Sequence, residues 1–427
     1  MKPLLVVSLC LSTALGVSSF SLQAENRQPD PSWRLNKVII VSRHGVRPPT
    51  KMTRQMSEIT AQTWPTWSAP LGHLTPTGAK LVTLLGGYYR EHLQQAGLFT
   101  SACPAEGTLL SWADTDQRTR MTGQAWLDGF APNCGLKIQS QSDTHKLDPL
   151  FHPLEAGVCR ADKQQALAAA QKAAGGDVAA LSATYQPALQ QLEQVLDFAN
   201  SPYCKQHGAS GCSLMAAYPG KLSASADGSV KLEGNLALGS TLGEIFLLEY
   251  ADGMPAPSVA WGHAFTPEQW QSLLAVHNTQ FRIAQQTPYI ARFKASPLMA
   301  RIQQALKSND KARLELLVGH DTNLANLAGL LGVQWSLPGQ PDNTPPAGEL
   351  VVERWQDSQQ QYWVRMQFVY QTLDQLRAQT PLSLATPPGV VTLALPECQT
   401  QSVNGACPLT RFMTITQQKL QPACLKL

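Results

Sequence analysis

The feature that most constrains the fold of this chain is the junction between an apolar segment and a cluster of positive charge near its beginning. Val38–Val41 consists of β-branched aliphatic residues, which is typical of a buried strand. The segment Arg43–Pro49 follows it, with the sequence RHGVRPP. Arginine side chains rarely lie close together unless an anion lies among them. The junction therefore predicts a strand that ends at an anion site, with a nucleophilic histidine beside the anion.

Strand-like and helix-like segments alternate after this junction. Thr75-Pro76 has the residue pattern of a helix start. A strand-like segment at Thr108–Trp112 precedes a helical segment at 117–130. A second strand-like segment, Leu314–Val318, precedes a helical segment at 324–331. This alternation predicts the α/β fold class, with a parallel-type sheet flanked by helices.

The middle of the chain has a different character. Residues 161–200 are rich in Ala, Gln and Leu and lack strand patterns. Thr266–Gln269 has the sequence of a capping box, and an amphipathic helix pattern follows it to Ala284. We therefore expect a mainly α-helical domain at 161–284. It is inserted into a discontinuous α/β domain, formed by 25–160 and 285–427, that carries the candidate site.

The first residues have the pattern of a secretory signal peptide. Lys2 supplies positive charge, residues 4–15 are mostly apolar, and Ala24 is the expected cleavage position. The apolar segment is too short for a stable membrane span, and no other segment reaches the ~18 apolar residues that a span needs. We predict a signal peptide at 1–24 and a mature protein exported to the periplasm.

The cysteines agree with export. The chain has 9 cysteines, and an even number remains once Cys10 leaves with the signal peptide. An even number in an exported chain predicts disulfide bonds. Two pairs are close in sequence and are expected to form, Cys204–Cys212 and Cys398–Cys407. Spacing alone leaves the pairing of the remaining four cysteines open.

Charge and motif content argue against several classes of function. The net charge is only +3 and there are no runs of Lys and Arg, so nucleic acids and membrane surfaces are poor candidate partners. The chain lacks Cys-x-x-Cys and His-x-x-x-His spacings. It also lacks the Gly-x-Ser-x-Gly and phosphate-loop lysine motifs. We expect no metal and no cofactor.

Two further predicted strands end at residues that suit an anion site. His320-Asp321 follows the strand-like segment Leu314–Val318, and Arg118 follows Thr108–Trp112. Ligands of open α/β sheets bind outside the carboxyl ends of the strands. We therefore expect His44 and His320 to meet in one crevice, with Arg118 placed to join them.

These residues are sufficient for phosphoryl transfer. His44 is the expected nucleophile, which forms a phosphohistidine, and Asp321 is the expected acid for the leaving oxygen. Because Asp321 must then be protonated, we expect an acidic working pH. Positive charge around the phosphate comes from four side chains: Arg43, Arg47, Arg118 and His320.

Each residue outside the first segment also has a structural interpretation. Taken alone, His320 fits a core histidine with satisfied hydrogen bonds, and Arg118 fits a solvated surface charge. Asp321, which directly precedes a helical pattern, fits a helix N-cap. The segment Arg43–Pro49 is much too specific to arise from an accidental turn, and it favours the functional interpretation of the others.

The chain resembles the histidine acid phosphatases of the phosphoglycerate mutase-like (histidine phosphatase) superfamily. The family pattern Arg-His-Gly-x-Arg-x-Pro stands at Arg43–Pro49, and its His-Asp element stands at His320-Asp321. The likeness is closer still to the periplasmic phytases of enteric bacteria. It includes Trp64–Trp67, Gly319–Asn326 and Leu337–Pro346 and covers nearly the whole mature chain.

The resemblance implies the roles given above for His44, Asp321 and the phosphate-binding residues. It also implies hydrolysis of myo-inositol hexakisphosphate (phytate) by a monomer that needs no metal. The family's disulfide pattern pairs Cys103–Cys134, Cys159–Cys424, Cys204–Cys212 and Cys398–Cys407. Further substrate contacts are expected at Thr50, Lys51, Asp114, Thr241, Glu244 and Lys294.

Two of these positions depart from the relatives. Thr241 stands where close relatives tend to have methionine, and Lys294 stands where an arginine reaches toward the inositol phosphates. Lysine keeps the charge but lacks the bidentate fork of arginine. Binding should therefore survive, while the preference among the phosphates is open.

Four other functions remain as alternatives. A glucose-1-phosphatase or a broad-specificity acid phosphatase shares the fold and the His-Asp element, but the former resembles Arg-His-Asn, whereas this chain has Gly45. A phosphomutase carries glutamate after Arg-His-Gly, whereas this chain has Val46. A non-catalytic phosphate-binding protein needs no acid such as Asp321.

Overall fold

The computed structural model describes residues 32–208 and 211–426. The predicted signal peptide lies outside the described residues. The strands are β1 Arg34–Arg43, β2 Leu109–Ala113, β3 Gln139–Ser140, β4 Lys221–Ala224, β5 Val230–Glu233, β6 Leu314–Gly319, β7 Glu349–Gln356, β8 Tyr362–Tyr370, β9 Gly389–Leu393 and β10 Ala406–Pro408.

The α-helices are α1 Arg54–Glu58, α2 Pro76–Gln95, α3 Gln117–Phe130, α4 Lys163–Ala173, α5 Val178–Thr184, α6 Gln186–Leu196, α7 Pro202–His207, α8 Leu214–Ala217, α9 Asn235–Ala251, α10 Pro267–Ala284, α11 Pro288–Lys307, α12 Asp321–Leu331, α13 Leu373–Ala378 and α14 Leu409–Lys419. Short 3₁₀ helices lie at Phe198–Asn200, Ala256–Gly262, Pro396–Gln401 and Pro422–Leu425. The segments predicted from sequence as β1, β2, β6, α2, α3, α10 and α12 all form.

The main sheet is mixed rather than parallel throughout. Its strand order is β10-β8-β7-β1-β6-β2-β3, and β9 pairs with β8. Strands β1, β6, β2 and β3 are parallel, as expected. Strand β7 pairs antiparallel with β1 and β8, and β8 pairs antiparallel with β9 and β10. A short turn joins β7 directly to β8, so these two strands run in opposite directions.

Strand β1 is covered on both faces. Ile39 and Val41 pack with side chains of α11 and α12, whereas Val38 and Ile40 pack with α2 and α3. All four side chains are 0% exposed. A strand buried on both faces has a continuous apolar sequence, which is why Val38–Val41 predicted it correctly.

Helices α2 and α3 pack closely beside the sheet. A Cβ atom on Gly86 of α2 would lie 2.2 Å from the carbonyl oxygen of Trp126 in α3. The close approach therefore requires glycine at this position. It holds α3, whose first turn carries Arg118, against α2.

The segment expected to be mainly helical contains α4 to α10. Its core includes Leu192 of α6, Phe246 of α9 and Leu273 of α10. The capping box at the start of α10 is present, with Thr266 and Gln269 each bonding the backbone of the other. The segment also contains the small hairpin β4–β5, which sequence analysis did not predict because both strands are short. The proposed domain boundaries stay a prediction.

The structure contains the four disulfide bonds implied by the resemblance: Cys103–Cys134, Cys159–Cys424, Cys204–Cys212 and Cys398–Cys407. Cys159–Cys424 joins positions 265 residues apart in sequence. Among the helices of the described residues, none is both long and apolar enough to cross a membrane.

Candidate active site

Three neighbouring parallel strands end at the same edge of the sheet. The register pairs Arg43 of β1 with Gly319 of β6, and Ala113 of β2 with Val318 of β6. The next residue after each strand end therefore faces the same crevice. These residues are His44, His320 and Asp114.

His44 is held firmly by its backbone. Its amide donates to the carbonyl of Gly319 at 3.0 Å, and its carbonyl accepts from the amide of Ala347 at 3.0 Å. Its imidazole Nδ1 lies 2.9 Å from the carbonyl oxygen of Gly45. A carbonyl oxygen can only accept, so Nδ1 carries the proton and Nε2 keeps its lone pair.

The surroundings keep this imidazole neutral. Burial, and then the positive charges of Arg47, Arg118 and Arg43, hold the pKa of His44 well below its usual value. The side chain is 1% exposed. A neutral imidazole with a free Nε2 is the form that can attack phosphorus.

Gly45 lies in a closely packed position behind the nucleophile. A Cβ atom there would lie 2.9 Å from Leu74 Cδ1 and 3.0 Å from Val82 Cγ2. Its amide donates to Thr122 Oγ1 at 2.9 Å. The glycine therefore lets the loop after β1 lie against α2 and α3.

Arg43 is itself fully buried and lies at the centre of a charge cluster. Its guanidinium lies 3.1 Å from Oδ2 of Asp321 and 3.1 Å from Oδ2 of Asp342. It also donates to Glu244 and to the carbonyl of Thr344. Burial alone would lower the pKa of Arg43, but the three carboxylates outweigh it and raise the pKa.

Glu244 bridges Arg43 and Arg47, the two arginines of the segment Arg43–Pro49. Its Oε1 accepts from Arg43 and from Arg47 Nη2, the latter at 3.2 Å. Burial raises the pKa of Glu244, but Arg47 and Arg43 outweigh it, so the pKa is lowered and the side chain is anionic. A substrate phosphate that binds both guanidinium groups must compete with this carboxylate.

Asp321 lies at the first position of α12. Burial raises the pKa of this carboxyl group, but the charges of Arg43 and Arg47 outweigh it and lower the pKa to about 2. Without substrate, Asp321 is therefore ionised. A dianionic phosphate among the same arginines would offset their charge and repel the carboxylate, which raises its pKa and favours the protonated acid.

A hydrogen-bonded group of three residues lies on the other side of the crevice. Asp114 Oδ2 lies 2.5 Å from His320 Nε2 and 2.8 Å from His152 Nε2. One ligand-type atom from each residue lies within 4.8 Å of the others. Both nitrogens already contact the same oxygen at hydrogen-bond distance, which leaves no room for an ion at the ~2 Å bond lengths that zinc requires. We interpret the group as a hydrogen-bond network and not as a metal site.

His320 connects this network to the nucleophile and to Arg118. Its ring centroid is 5.6 Å from that of His44. Its Nδ1 lies 3.5 Å from Arg118 Nη2. Arg118 in turn forms a 2.7 Å ion pair with Asp116. The crevice brings together six predicted catalytic and phosphate-binding residues: Arg43, His44, Arg47, Arg118, His320 and Asp321.

The residues predicted to bind the rest of the substrate are less uniform in position. Thr50, Lys51, Thr241 and Glu244 line one cavity of about 400 Å³, together with Arg47. Asp114 is 1% exposed, and its carboxylate accepts from the two imidazoles described above and from the amide of Thr115. It contacts the catalytic residues rather than the cavity.

Lys294 does not line that cavity. Its ammonium group lies 3.1 Å from Glu155 Oε1 and 3.4 Å from Gln285 Oε1, and the residue is 8% exposed. A contact with substrate would require this ion pair to open. The predicted role of Lys294 therefore stays a prediction.

Sequence reasoning missed several residues of the site. His152 and Asp116 stand in no recognisable motif, and only their spatial neighbours reveal them. Asp342 and Thr344, which bind Arg43, lie within the segment Leu337–Pro346 that resembles the enteric phytases, so a signal for them was present.

Comparisons with known proteins agree with this geometry. Residues 34–369 match the family profile described as "Histidine phosphatase superfamily (branch 2)". The chain belongs to this superfamily.

Its relatives include characterised enzymes. It is 44% identical to phytase AppA of Escherichia coli strain K12, over 99% of this chain and 100% of that protein. It is 33% identical to glucose-1-phosphatase of Providencia rettgeri, over 97% of this chain and 99% of that protein. Among solved structures, a complex of Hafnia alvei phytase with myo-inositol hexakis sulphate superposes with a TM-score of 0.88 at 47% identity. The superposition covers 93% of this chain and 99% of that one.

Proposed function

We propose that this chain is an exported acid phosphomonoesterase that hydrolyses phytate through a phosphohistidine at His44. One observation carries the proposal. The free Nε2 of a buried, neutral His44 lies in a crevice where Arg43 also binds the carboxyl group of Asp321. The nucleophile, the anion-binding group and the proton donor therefore act at one point.

In the first step, Nε2 of His44 attacks the phosphorus atom. The nitrogen–phosphorus bond forms while the ester oxygen–phosphorus bond breaks. Asp321, protonated when the dianionic group binds, gives its proton to the leaving oxygen. Arg43, Arg47, Arg118 and His320 neutralise the charge on the transferring oxygens.

In the second step, water attacks the phosphohistidine. Asp321 is now a carboxylate and takes a proton from this water, which is the reverse of its first role. The nitrogen–phosphorus bond breaks, inorganic phosphate is released, and His44 returns to its neutral form. The step needs no oxidant, metal or cofactor.

The substrate assignment is supported by similarity and by the cavity. Two of the relatives named above are phytases, and one of them binds a hexakis sulphate of inositol. The cavity beside Arg47 and Glu244 extends to Lys51, which offers a positive charge beyond the scissile phosphate. A polyanionic cyclitol suits such a site better than a neutral sugar does.

Glucose-1-phosphatase remains the second candidate, because a relative with that activity is 33% identical over nearly the full length. Gly45 argues against it. The glucose-1-phosphatase branch resembles Arg-His-Asn at these positions, whereas this chain has Arg-His-Gly. We therefore place broad acid phosphatase activity and glucose-1-phosphatase activity below phytase activity.

Further parts of the proposal concern the cell and the assembly. Export to the periplasm follows from the predicted signal peptide and the four disulfide bonds. We propose a monomer, with a small-molecule phosphomonoester as its partner and no role for nucleic acid or membrane. The helical segment at 161–284 is proposed as a domain that contributes Thr241 and Glu244 to the site.

The experiment that tests the proposal compares initial rates on three substrates: phytate, glucose 1-phosphate and p-nitrophenyl phosphate. We expect the highest kcat/KM for phytate, at acidic pH, with no loss of activity after exhaustive chelation. A clear preference for glucose 1-phosphate would overturn the substrate assignment. A requirement for added metal would contradict the mechanism.

A further inference from the structure

His152 occupies a position in the site for which the mechanism above gives no role. It lies in the turn region before α4, and its Nε2 is 2.8 Å from Asp114 Oδ2. Its ring centroid is 5.1 Å from that of His320. The side chain is 22% exposed, whereas that of Asp114 is 1% exposed. His152 is therefore at the edge of the crevice and is joined to the imidazole of His320 through the Asp114 carboxylate.

The two histidines share a single carboxylate oxygen. An ionised carboxylate only accepts, so each Nε2 must carry a proton. His320 then donates to a phosphate through Nδ1 only when its ring is doubly protonated. The charge of that ring depends on Asp114, and Asp114 divides its hydrogen bonding between His320 and His152.

We propose that His152 is a positioning residue for the reaction, which orients the Asp114 carboxylate and limits the pH range over which His320 stays charged. The orientation follows from the bond geometry, because Oδ2 is held between two donors and Oδ1 accepts from the amide of Thr115 at 2.8 Å. The limit on pH follows from competition for one acceptor and from repulsion between two imidazolium rings.

The direction of the effect follows from the charges around both rings. Burial lowers the pKa of His320, its hydrogen bond to Asp114 opposes this, and Arg118 and His152 lower the pKa further. Burial also lowers the pKa of His152, but the bond to Asp114 and the charge of Glu155 outweigh it, so the pKa of His152 is raised. The titratable or charged groups that face the pair are Asp114, Asp116, Arg118, Glu155, His44 and Asp321. Glu155 is itself paired with Lys294.

Removal of the charge at His152 should therefore raise the pKa of His320. Two variants separate charge from orientation. His152→Gln keeps an amide donor at a similar reach and cannot ionise, whereas His152→Leu keeps bulk but has no donor. For p-nitrophenyl phosphate, we expect the alkaline limb of the kcat/KM profile to move upward by about half a pH unit in both variants.

The two variants should differ in rate. We expect His152→Leu to lose about 10-fold in kcat at acidic pH, because the carboxylate is no longer held, and His152→Gln to lose less. The pKa of His320, measured by imidazole NMR titration of the full-length mature enzyme, should rise in His152→Gln. The exposed His263 provides a matched control, and His263→Gln should leave both the limb and the NMR titration unchanged.

The outcomes are decisive in either direction. An unmoved limb together with an unmoved His320 titration in His152→Gln would overturn the proposal. Uniform loss of activity at every pH in both variants would show a structural role only. The kinetic measurement rests on the proposed phosphomonoesterase activity, whereas the NMR titration needs no activity. A failure of the proposed activity can therefore be distinguished from a failure of the proposed role of His152.

Discussion

The strand-end part of the site and the cavity beside it are built in different ways. In the first, Arg43, His44 and His320 are buried and are fixed by backbone and side-chain bonds from the ends of β1 and β6. In the second, Thr50 and Lys51 are exposed on the loop that follows β1. Thr241 is exposed on α9, in the helical segment.

This difference separates chemistry from selectivity. The sheet register places the reacting groups, so changes there should alter kcat for every substrate. Thr50, Lys51 and Thr241 lie where they would touch only the distant parts of a substrate, so changes there should alter KM, and only for a substrate that reaches them.

Replacement of the nucleophile should have the largest effect. We expect His44→Ala to lower kcat by about four orders of magnitude or more, on phytate and on p-nitrophenyl phosphate alike. Rapid alkaline-quench labelling should trap a phosphoprotein in the wild type, because phosphohistidine is stable in alkali, and should show none in His44→Ala. The exposed His145 serves as the control, since His145→Ala should keep both labelling and rate. Retained turnover in His44→Ala would end the assignment of the nucleophile.

Asp321→Asn should lower kcat by about 10³-fold while phosphate still binds, because only the proton donor is lost. The pKa of about 2 in the unliganded site gives a second, sharper expectation. If Asp321 is the proton donor, phosphate binding at pH 4 to 5 must raise the pKa of Asp321 above the pH of the solution. The wild-type protein should therefore take up a proton on binding phosphate, and Asp321→Asn should not take up this proton.

Calorimetry of phosphate binding in buffers with different ionisation enthalpies measures this proton uptake. The difference between the two proteins matters, since protonation of phosphate itself is common to both. Equal proton uptake would mean that Asp321 stays ionised in the complex. It would also mean that another group protonates the leaving oxygen.

Replacement of Lys51 should show that the cavity affects KM for a large substrate only, unlike the residues at the strand ends. We expect Lys51→Ala to raise KM for phytate by about 3- to 10-fold, because one charge near a polyanion is lost. KM for p-nitrophenyl phosphate should stay within about 2-fold, since that substrate is too small to reach this lysine. Lys311→Ala, at the opposite end of β6, is the control for net charge. An equal effect of Lys51→Ala on both substrates would show that Lys51 acts at the scissile phosphate.

The same division explains how much could be predicted from the sequence. Val38–Val41 and Leu314–Val318 predicted their strands because a doubly buried strand has an apolar sequence, and the residues after them were therefore placed correctly at one sheet edge. The antiparallel half was missed because strand direction depends on connections that local patterns do not encode.

Contacts between segments that are far apart in the sequence could not be predicted either. The bond of His152 to Asp114 and the ion pair of Lys294 with Glu155 join segments 38 and 139 residues apart. Neither pair has a local pattern of its own. The disulfide pairs Cys103–Cys134 and Cys159–Cys424 likewise came only from the resemblance, because spacing does not determine such pairings.

Thr241 should give the smallest effect and the finest test of the separation. Its hydroxyl bonds the carbonyl of Ala237 at 3.0 Å within α9, so it is turned toward its own helix. Thr241→Met, which introduces the residue that close relatives tend to have, should change kcat on p-nitrophenyl phosphate by less than about 2-fold. Its effect on phytate should appear in the order in which phosphates are removed, measured by chromatography of the inositol pentakisphosphate products. A change in kcat shared by both substrates would place Thr241 within the catalytic machinery and would break the division between the two regions.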